Sequence, residues 1–438
     1  MKISIVGSGH VGLTTAICFA EKGHEVLCVD HDTEKLARLK NGEVWFHEPK
    51  LPELLKKHFA QKRIRFSEST AEAVKFAQAI FICVGTPTGE SGRADMRFVE
   101  KVARDIAESI TEYRLIVEKS TVPIMTGDRV KNTIRRYVKS DAHFDVASNP
   151  EFLREGSAID DTLKPDRIVI GVDSAKAETL LREIYAPFEA PMIVTSIGSA
   201  ELIKHASNSF LALKISFINW IARVCEHSGA DVHEVARGMG LDARIGAHFL
   251  NPGIGYGGSC FPKDVEALAA ISEDMGVEAP LIRLISQINR EQREHFYETI
   301  QHELWVLQDK TLAFWGLSFK PNTDDLREAP SVWLAQKLLK AGAKLRVHDP
   351  VAMPAFKKLV PDAYFARDPL DATSGADALV VCTEWPQYRD VDLAKVKATL
   401  RVPMIFDGRN ALDRKQAEDL GMTLIGIGKK RIGPHAKR

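Results

Sequence analysis

The run Lys2-Ile3-Ser4-Ile5-Val6 opens directly into Gly7-Ser8-Gly9-His10-Val11-Gly12, and no other stretch of the chain narrows its fold as much. Leu13 to Lys22 then carry helical spacing, Gly23 stops them, and a second apolar run, Glu25 to Val29, ends in Asp30. Strand, glycine turn, helix, strand and acid in this order make a β-α-β unit. The glycines form a G-x-G-x-x-G turn in its proper place between strand and helix. Asp30 stands where a carboxylate accepts from a ribose 2′-hydroxyl and repels a 2′-phosphate, so NAD is expected rather than NADP.

Strands alternating with amphipathic helices continue at Ala79 to Val84, Leu115 to Glu118 and Phe144 to Ala147, the pattern of a parallel sheet. Ligands bind beyond the carboxyl ends of such strands. Thr86 and Thr121 follow two of them and stand either beside the dinucleotide or as plain turn residues. Glu151 and Glu155 follow a third. Their spacing suits a site or one solvated helix face.

Bulk properties bound the function. A chain of 438 residues has room for two or three domains. Lys and Arg number 59 and Asp and Glu number 59, so no net charge draws it to nucleic acid or an anionic membrane. Six cysteines without a C-x-x-C pair, several inside apolar runs, fit a reduced cytoplasmic protein. None of the 14 histidines has a metal-ligand spacing, and no apolar run approaches a membrane span, so neither a metal nor a membrane is expected.

Between Ser199 and Gly229 one long helical pattern is predicted, a spine between domains and a subunit contact. Lys204 and Asn208 share a face near its start. Further helices are expected at Val232 to Met239, Pro262 to Met275 and Leu281 to Leu307. Ahead of Pro262 lies Gly253-Ile254-Gly255-Tyr256-Gly257-Gly258-Ser259-Cys260, a glycine-walled loop that delivers Cys260 to a helix start beside Lys263. Both neighbours favour thiolate over thiol. A thiolate beside a nicotinamide site permits a second oxidation. It adds to an aldehyde, the thiohemiacetal loses hydride, and the resulting thioester is hydrolysed with Glu151 or Asp264 as base. Lys204 with Asn208 would steady the oxyanion.

From Thr311 the strand pattern returns at Leu312 to Leu317, Leu345 to Asp349, Ala378 to Cys382 and Met404 to Asp407. This unit has no G-x-G-x-x-G. Lys320, Arg327 and Arg409 lie beyond its strand ends and suit an anionic ligand other than a dinucleotide. The basic end, Gly428 to Arg438, reads as solvated and mobile. The expected class is α/β: two Rossmann-like doubly wound domains, residues 1–198 and 309–438, joined by a long central helix within a helical dimerisation domain, residues 199–308.

Gly7-x-Gly9-x-x-Gly12, Gly85-Thr86-Pro87, Asn149-Pro150-Glu151-Phe152-Leu153, Gly255 to Asp264, Gly316-Leu317-Ser318-Phe319-Lys320 and Phe406-Asp407-Gly408-Arg409 together resemble the UDP-glucose/GDP-mannose dehydrogenase family over nearly the whole chain. The resemblance implies NAD-dependent four-electron oxidation of UDP-glucose to UDP-glucuronate. The same chemistry on GDP-mannose or an N-acetylated UDP-hexosamine, or a non-catalytic sensor, are the alternatives. It implies Cys260 as nucleophile, Lys204, Asn208 and Asp264 as charge-stabilising or water-handling groups, and Glu151 and Thr121 in proton transfer. By the same match NAD would touch Val11, Asp30, Lys35, Thr86, Thr121, Glu155, Lys263 and Arg327. The sugar nucleotide would lie against Glu151, Phe152, Leu153, Arg154, Lys204, Asn208, Phe249, Leu250, Asn251, Pro252, Gly253, Gly257, Phe319, Lys320 and Arg409. A homodimer or larger assembly is implied, with Arg244 reaching the neighbouring subunit's site. Val44-Trp45-Phe46-His47-Glu48-Pro49 departs from the family pattern.

Overall fold

The apolar runs pair into two sheets, which a computed structural model describes for all residues except Thr88, 90–92 and 435–438. The strands are β1 (Lys2–Val6), β2 (Glu25–Val29), β3 (Ile64–Ser67), β4 (Ala79–Ile82), β5 (Arg114–Glu118), β6 (Phe144–Ser148), β7 (Ile168–Gly171) and β8 (Met192–Thr195) in the first sheet. Its order is β3-β2-β1-β4-β5-β6-β7-β8, parallel throughout except between β6 and β7. The second sheet holds β9 (Thr311–Trp315), β10 (Lys344–His348), β11 (Tyr364–Phe365), β12 (Ala378–Val381), β13 (Met404–Asp407) and β14 (Thr423–Gly426), in the order β11-β10-β9-β12-β13-β14 and all parallel. Both sheets reverse direction of growth beside their first strand, the doubly wound arrangement that leaves a crevice at that point.

Register decides what emerges there. Val6 lies opposite Val29 and Ile82, so Gly7, Asp30 and Cys83 leave the first sheet at one edge. Glu118 lies opposite Ile82 and Ser148, which brings Lys119 to Thr121 and Asn149 to Glu151 to that same edge. In the second sheet Trp315 faces His348 and Val381, and Asp407 faces Val381, so Gly316, Asp349, Cys382 and Gly408 emerge together. The central strands β4, β5 and β12 are buried on both faces, hence their near-continuous apolar runs, while the edge strands β3, β8 and β11 are partly exposed. Phe19 and Phe81 meet edge-on at 5.2 Å within the first core. Each fully buried large side chain of this kind stabilises by about 1.5–3 kcal/mol.

The chain forms two compact units, Met1–Ser207 with Ala267–Glu278, and Asn208–Glu266 with Ala279–Arg438. The central segment of the sequence thus contributes to both. The long helix spans Ile197–Ser228 and ends at Gly229, whose φ of +81° suits a glycine stop. Helices Val232–Gly240, Phe261–Asp274 and Pro280–Leu304 follow. The last is shorter than the apolar pattern suggests because Trp305 adopts a positive φ of 59° and stops it. No helix among the described residues is long and apolar enough to cross a membrane.

One expectation fails at the basic end. Ile432 forms an antiparallel bridge with Leu424 and is 7% exposed, and Arg431 pairs with Glu303 at 2.5 Å, so this segment is packed rather than solvated. An apolar residue among basic ones supplies the anchor. Residues 435–438 lie outside the described part.

Candidate active site

In the first unit the glycine turn is built as its sequence demands. Gly7 has φ +106°, a left-handed value that disfavours any side chain, and a Cβ at Gly12 would collide with Gly7 O. A Cβ at Gly9 would meet nothing within 4 Å. The space above Gly9 is therefore open. Helix His10–Glu21 begins there with no side-chain cap, leaving first-turn N–H groups and the positive helix end for an anion. Asp30 Oδ2 accepts from Ser8 N–H at 2.7 Å and Ser8 Oγ at 2.6 Å, and Oδ1 accepts from Asp32 N–H at 3.0 Å. Burial opposes the Asp30 charge, but these donors outweigh it and hold the carboxyl below its usual range. The turn fits a dinucleotide. Val11 is partly buried against the first core, and Lys35 pairs with Asp32 at 3.2 Å and lies 5.1 Å over the Trp45 ring. The divergent loop is packed: Phe46 lies 3.7 Å from the His10 ring and Trp45 lies edge-on at 5.6 Å. Thr86 Oγ1 donates to Thr121 O at 2.8 Å, which brings these two predicted residues together.

The stretch after β6 is a loop, not a helix. Glu151 and Glu155 are both buried, which removes the solvated helix face as an explanation of their spacing. Glu151 Oε1 accepts from Lys204 Nζ at 2.9 Å and Oε2 from Leu153 N–H at 2.8 Å. Lys204 and Glu151 are a buried ion pair. Phe152 lies beneath Arg167 at 3.7 Å and near Lys204 at 5.5 Å. Arg154 is exposed and grips Asp161 through two hydrogen bonds of 3.0 and 2.7 Å.

In the second unit Cys260 directly precedes helix Phe261–Asp274 and accepts through its carbonyl the N–H of Asp264 at 2.8 Å. All six cysteines are among the described residues, and Cys260 alone is partly exposed. Burial pushes the thiols of Cys83 and Cys382 up to about 12 and raises those of Cys18, Cys28 and Cys225, which leaves them inert. Asp264 is 1% exposed and accepts from Asn208 Nδ2 at 2.6 Å and from Lys263 Nζ at 2.7 Å. The sequence pairs Lys204 with Asn208, whereas the structure gives each its own carboxylate. Lys263, expected beside the thiol, is engaged by Asp264.

The glycines of the loop meet the second sheet. Arg409 donates to Gly255 O at 3.1 Å and Phe319 O at 3.4 Å, and Gly258 N–H donates to Arg327 O at 2.9 Å. A Cβ at Gly253 would lie 2.8 Å from Arg409 Nη1, and one at Gly258 2.8 Å from the Phe319 ring. Arg409, Arg327 and Phe319 thus converge on the cysteine loop. Arg327 is held by Asp325 at 2.8 Å, and Lys320 Nζ lies 5.5 Å from the Phe319 ring. Phe249 has φ +64° and stands 6.0 Å from Phe261, while Leu250 and Pro252 are buried and Asn251 is exposed. Arg244 is exposed and fastened to Asp242 at 2.6 Å. Asp349, the counterpart of Asp30 in the second sheet, is 0% exposed and accepts from the N–H groups of Leu317, Val351 and Ala352 and from Trp385 Nε1. Its oxygens are closed to a ribose, in keeping with the missing glycine motif.

Two supports of the site gave no signal that composition or spacing reveals. Lys119, buried, donates to Asn149 Oδ1 at 3.0 Å at the head of the Glu151 loop. Glu48 accepts from Gly156 N–H at 2.6 Å and Ala158 N–H at 2.8 Å at its far end.

Comparison with known proteins agrees with this geometry. Residues 1–189 match the NAD binding domain, 198–291 the central domain and 313–414 the UDP binding domain of one family. The chain is 44% identical to a UDP-glucose 6-dehydrogenase of Pseudomonas aeruginosa, over 100% of this chain and 99% of the relative. It is 42% identical to a UDP-glucose 6-dehydrogenase of Rhizobium meliloti, over 98% of this chain and 100% of that one. A solved UDP-glucose dehydrogenase from Pyrobaculum islandicum is similar with a TM-score of 0.90 at 38% identity, covering 95% of each chain. The chain belongs to the UDP-glucose/GDP-mannose dehydrogenase family.

Proposed function

We propose that this protein oxidises the C6 alcohol of UDP-glucose to the carboxylate of UDP-glucuronate. Similarity over the full length to UDP-glucose 6-dehydrogenases supports the substrate. The observation that carries the chemistry is the setting of Cys260: a partly exposed thiol at a helix start, one turn before a buried carboxylate. The Gly7–Gly12 turn would hold NAD, and two NAD molecules bound in turn would each supply the acceptor for one hydride, the first for the alcohol and the second for the cysteine adduct of the aldehyde.

Each residue then has a task. Cys260 Sγ adds to the aldehyde carbon and the carbonyl oxygen takes a proton, giving the thiohemiacetal. After the second oxidation, water attacks the thioester carbonyl, the C–S bond breaks, and the thiolate is released with the acid. Asp264 or Glu151 accepts the proton of that water. Lys204 and Asn208 present N–H donors to the oxygen that gains charge, and Thr121 orients a proton-transferring water. Thr86, Lys35, Glu155, Lys263 and Arg327 hold the cofactor. Phe152 to Arg154, Phe249 to Gly253, Gly257, Phe319, Lys320 and Arg409 hold the sugar nucleotide, with Arg409 and Lys320 nearest its anionic part.

We infer that two copies pair through the long helix. Phe210, Phe217, Trp220 and Val224 are 40–60% exposed and recur at about one heptad, and Leu281 and Leu284 add further exposed apolar surface. Arg244, exposed on each copy, would then reach its neighbour's site. Trp220→Glu should convert the dimer to monomer in sedimentation.

The function is tested by supplying limiting UDP-glucose, GDP-mannose or a UDP-N-acetylhexosamine with NAD and following NADH. Roughly two NADH per UDP-glucose and little from the others supports the proposal. Turnover of GDP-mannose in preference to UDP-glucose overturns the substrate.

A further inference from the structure

The segment Gly253 to Gly258 is buried, yet it forms neither helix nor strand, so its peptide groups need partners from elsewhere. Helix Pro280–Leu304 supplies the partners of three, Gly253 O and both peptide groups of Tyr256. Asn289 Oδ1 accepts Tyr256 N–H at 2.8 Å while Asn289 Nδ2 donates to Tyr256 O at 3.0 Å, a two-point clamp on one residue. Arg293 Nη2 adds a second donor to Tyr256 O at 2.9 Å and also reaches Glu328 O at 3.2 Å. Gln292 Nε2 donates to Gly253 O at 3.0 Å. Positions 289, 292 and 293 fall on one helix face. All three side chains are buried, at 4%, 1% and 9% exposure.

The clamped residue leads to the thiol. Tyr256 packs its ring edge-on against Phe261 at 5.8 Å, and Phe261 directly follows Cys260. Gly255, between the clamp points, has φ +95°, and a Cβ there would lie 2.7 Å from Asn289 Oδ1. The glycine therefore serves the close approach of Asn289. Burying a guanidinium to hold a peptide carbonyl is a weak source of stability. It is an effective way of fixing a backbone whose displacement by about 1 Å costs about 10²-fold in a reaction that needs aligned atoms.

We propose that Asn289 and Arg293 are positioning residues that set the line of attack of the Cys260 thiolate on the aldehyde; this rests on the reading of Cys260 given above. They act on the second oxidation and not on the first, because alcohol oxidation makes no bond to sulfur.

The test is Asn289→Ala, with Arg293→Lys as the milder change should the first not fold. NADH formed per limiting UDP-glucose is measured with an aldehyde trap present, together with the rate of iodoacetamide alkylation of Cys260 and the KM for NAD. The expected result is a ratio falling from about two towards about one, with trapped aldehyde, alkylation altered by about tenfold or more, and KM for NAD within about twofold. Arg293→Lys should move the same readouts in the same direction by less. A ratio that stays near two in both variants, whether total rate holds or falls, overturns the proposal. Cys260→Ala in the same assay separates this from failure of the underlying reading: if it too keeps the ratio near two, Cys260 is not the nucleophile.

Discussion

The Asn208 amide donates to Asp264 Oδ2 across 2.6 Å, and Lys263 holds the other oxygen at 2.7 Å, so the carboxylate one turn beyond Cys260 is fixed from two sides. Asn208→Asp would set two carboxylates against each other. One proton would then be shared, and the acid limb of the kcat profile should move up by about one pH unit or more. Asn208→Ala, which only removes a donor, should lower kcat by about 10²-fold without that movement. Identical pH profiles for the two variants would contradict this.

The buried pair of Lys204 and Glu151, 2.9 Å apart, allows stability to be separated from catalysis. Lys204→Met alone leaves a buried carboxylate without its cation and should cost about 3–5 kcal/mol. The double variant Lys204→Met with Glu151→Leu should recover most of that stability in urea unfolding yet remain inactive. Recovery of activity along with stability would show that the pair is structural.

Gly9 and Gly12 predict opposite defects. A methyl at Gly9 enters open space and should leave stability within about 0.5 kcal/mol while raising the KM for NAD. At Gly12 it collides with Gly7 O, and the melting temperature should fall. Thermal melts beside NAD titrations distinguish them, and a destabilised Gly9→Ala would remove the open cradle from the account.

Glu118 and Glu201 should make the protein less stable as pH rises. Burial lifts Glu118 to about 8 and Glu201 to about 7 from an ordinary 4.5, against the opposing hydrogen bond of Ser120 in one case and of Gly127 and Met125 in the other. The folded chain therefore holds protons that the unfolded chain releases. The contribution is complete below about pH 4.5 and lost as pH climbs through 7 and 8. Glu118→Gln stays neutral and should gain a few kcal/mol, about 1–4, at pH 8.5 relative to pH 5. Equal urea midpoints for variant and parent at both pH values would refute the shift.

The first unit was legible because each signal is local. Gly7, Gly9, Gly12 and Asp30 lie within one β-α-β stretch, and their placement follows from backbone geometry. The place of Cys260 just ahead of a helix was legible for the same reason, through the glycines before it and Pro262 after it. What escaped depends on distant pairing. Nothing near Asn289 or Arg293 in sequence says that a helix face will clamp Tyr256, and nothing near Glu48 says that it will hold Gly156 and Ala158. The partners of Lys204 and Asn208 were missed because spacing on a helix shows a shared face but not the carboxylates facing it. The packed end at Ile432 was missed because one apolar residue among basic ones gives no periodicity.

The most direct test of the whole account is the mass of the Cys260 peptide. Protein is mixed with UDP-glucose and NAD, quenched within one turnover, and digested, using Asp264→Asn to slow thioester hydrolysis. The account predicts a UDP-glucuronyl group on Cys260 that hydroxylamine removes. Formation of about two NADH per UDP-glucose with Cys260 unmodified, or with the label on another residue, would contradict it.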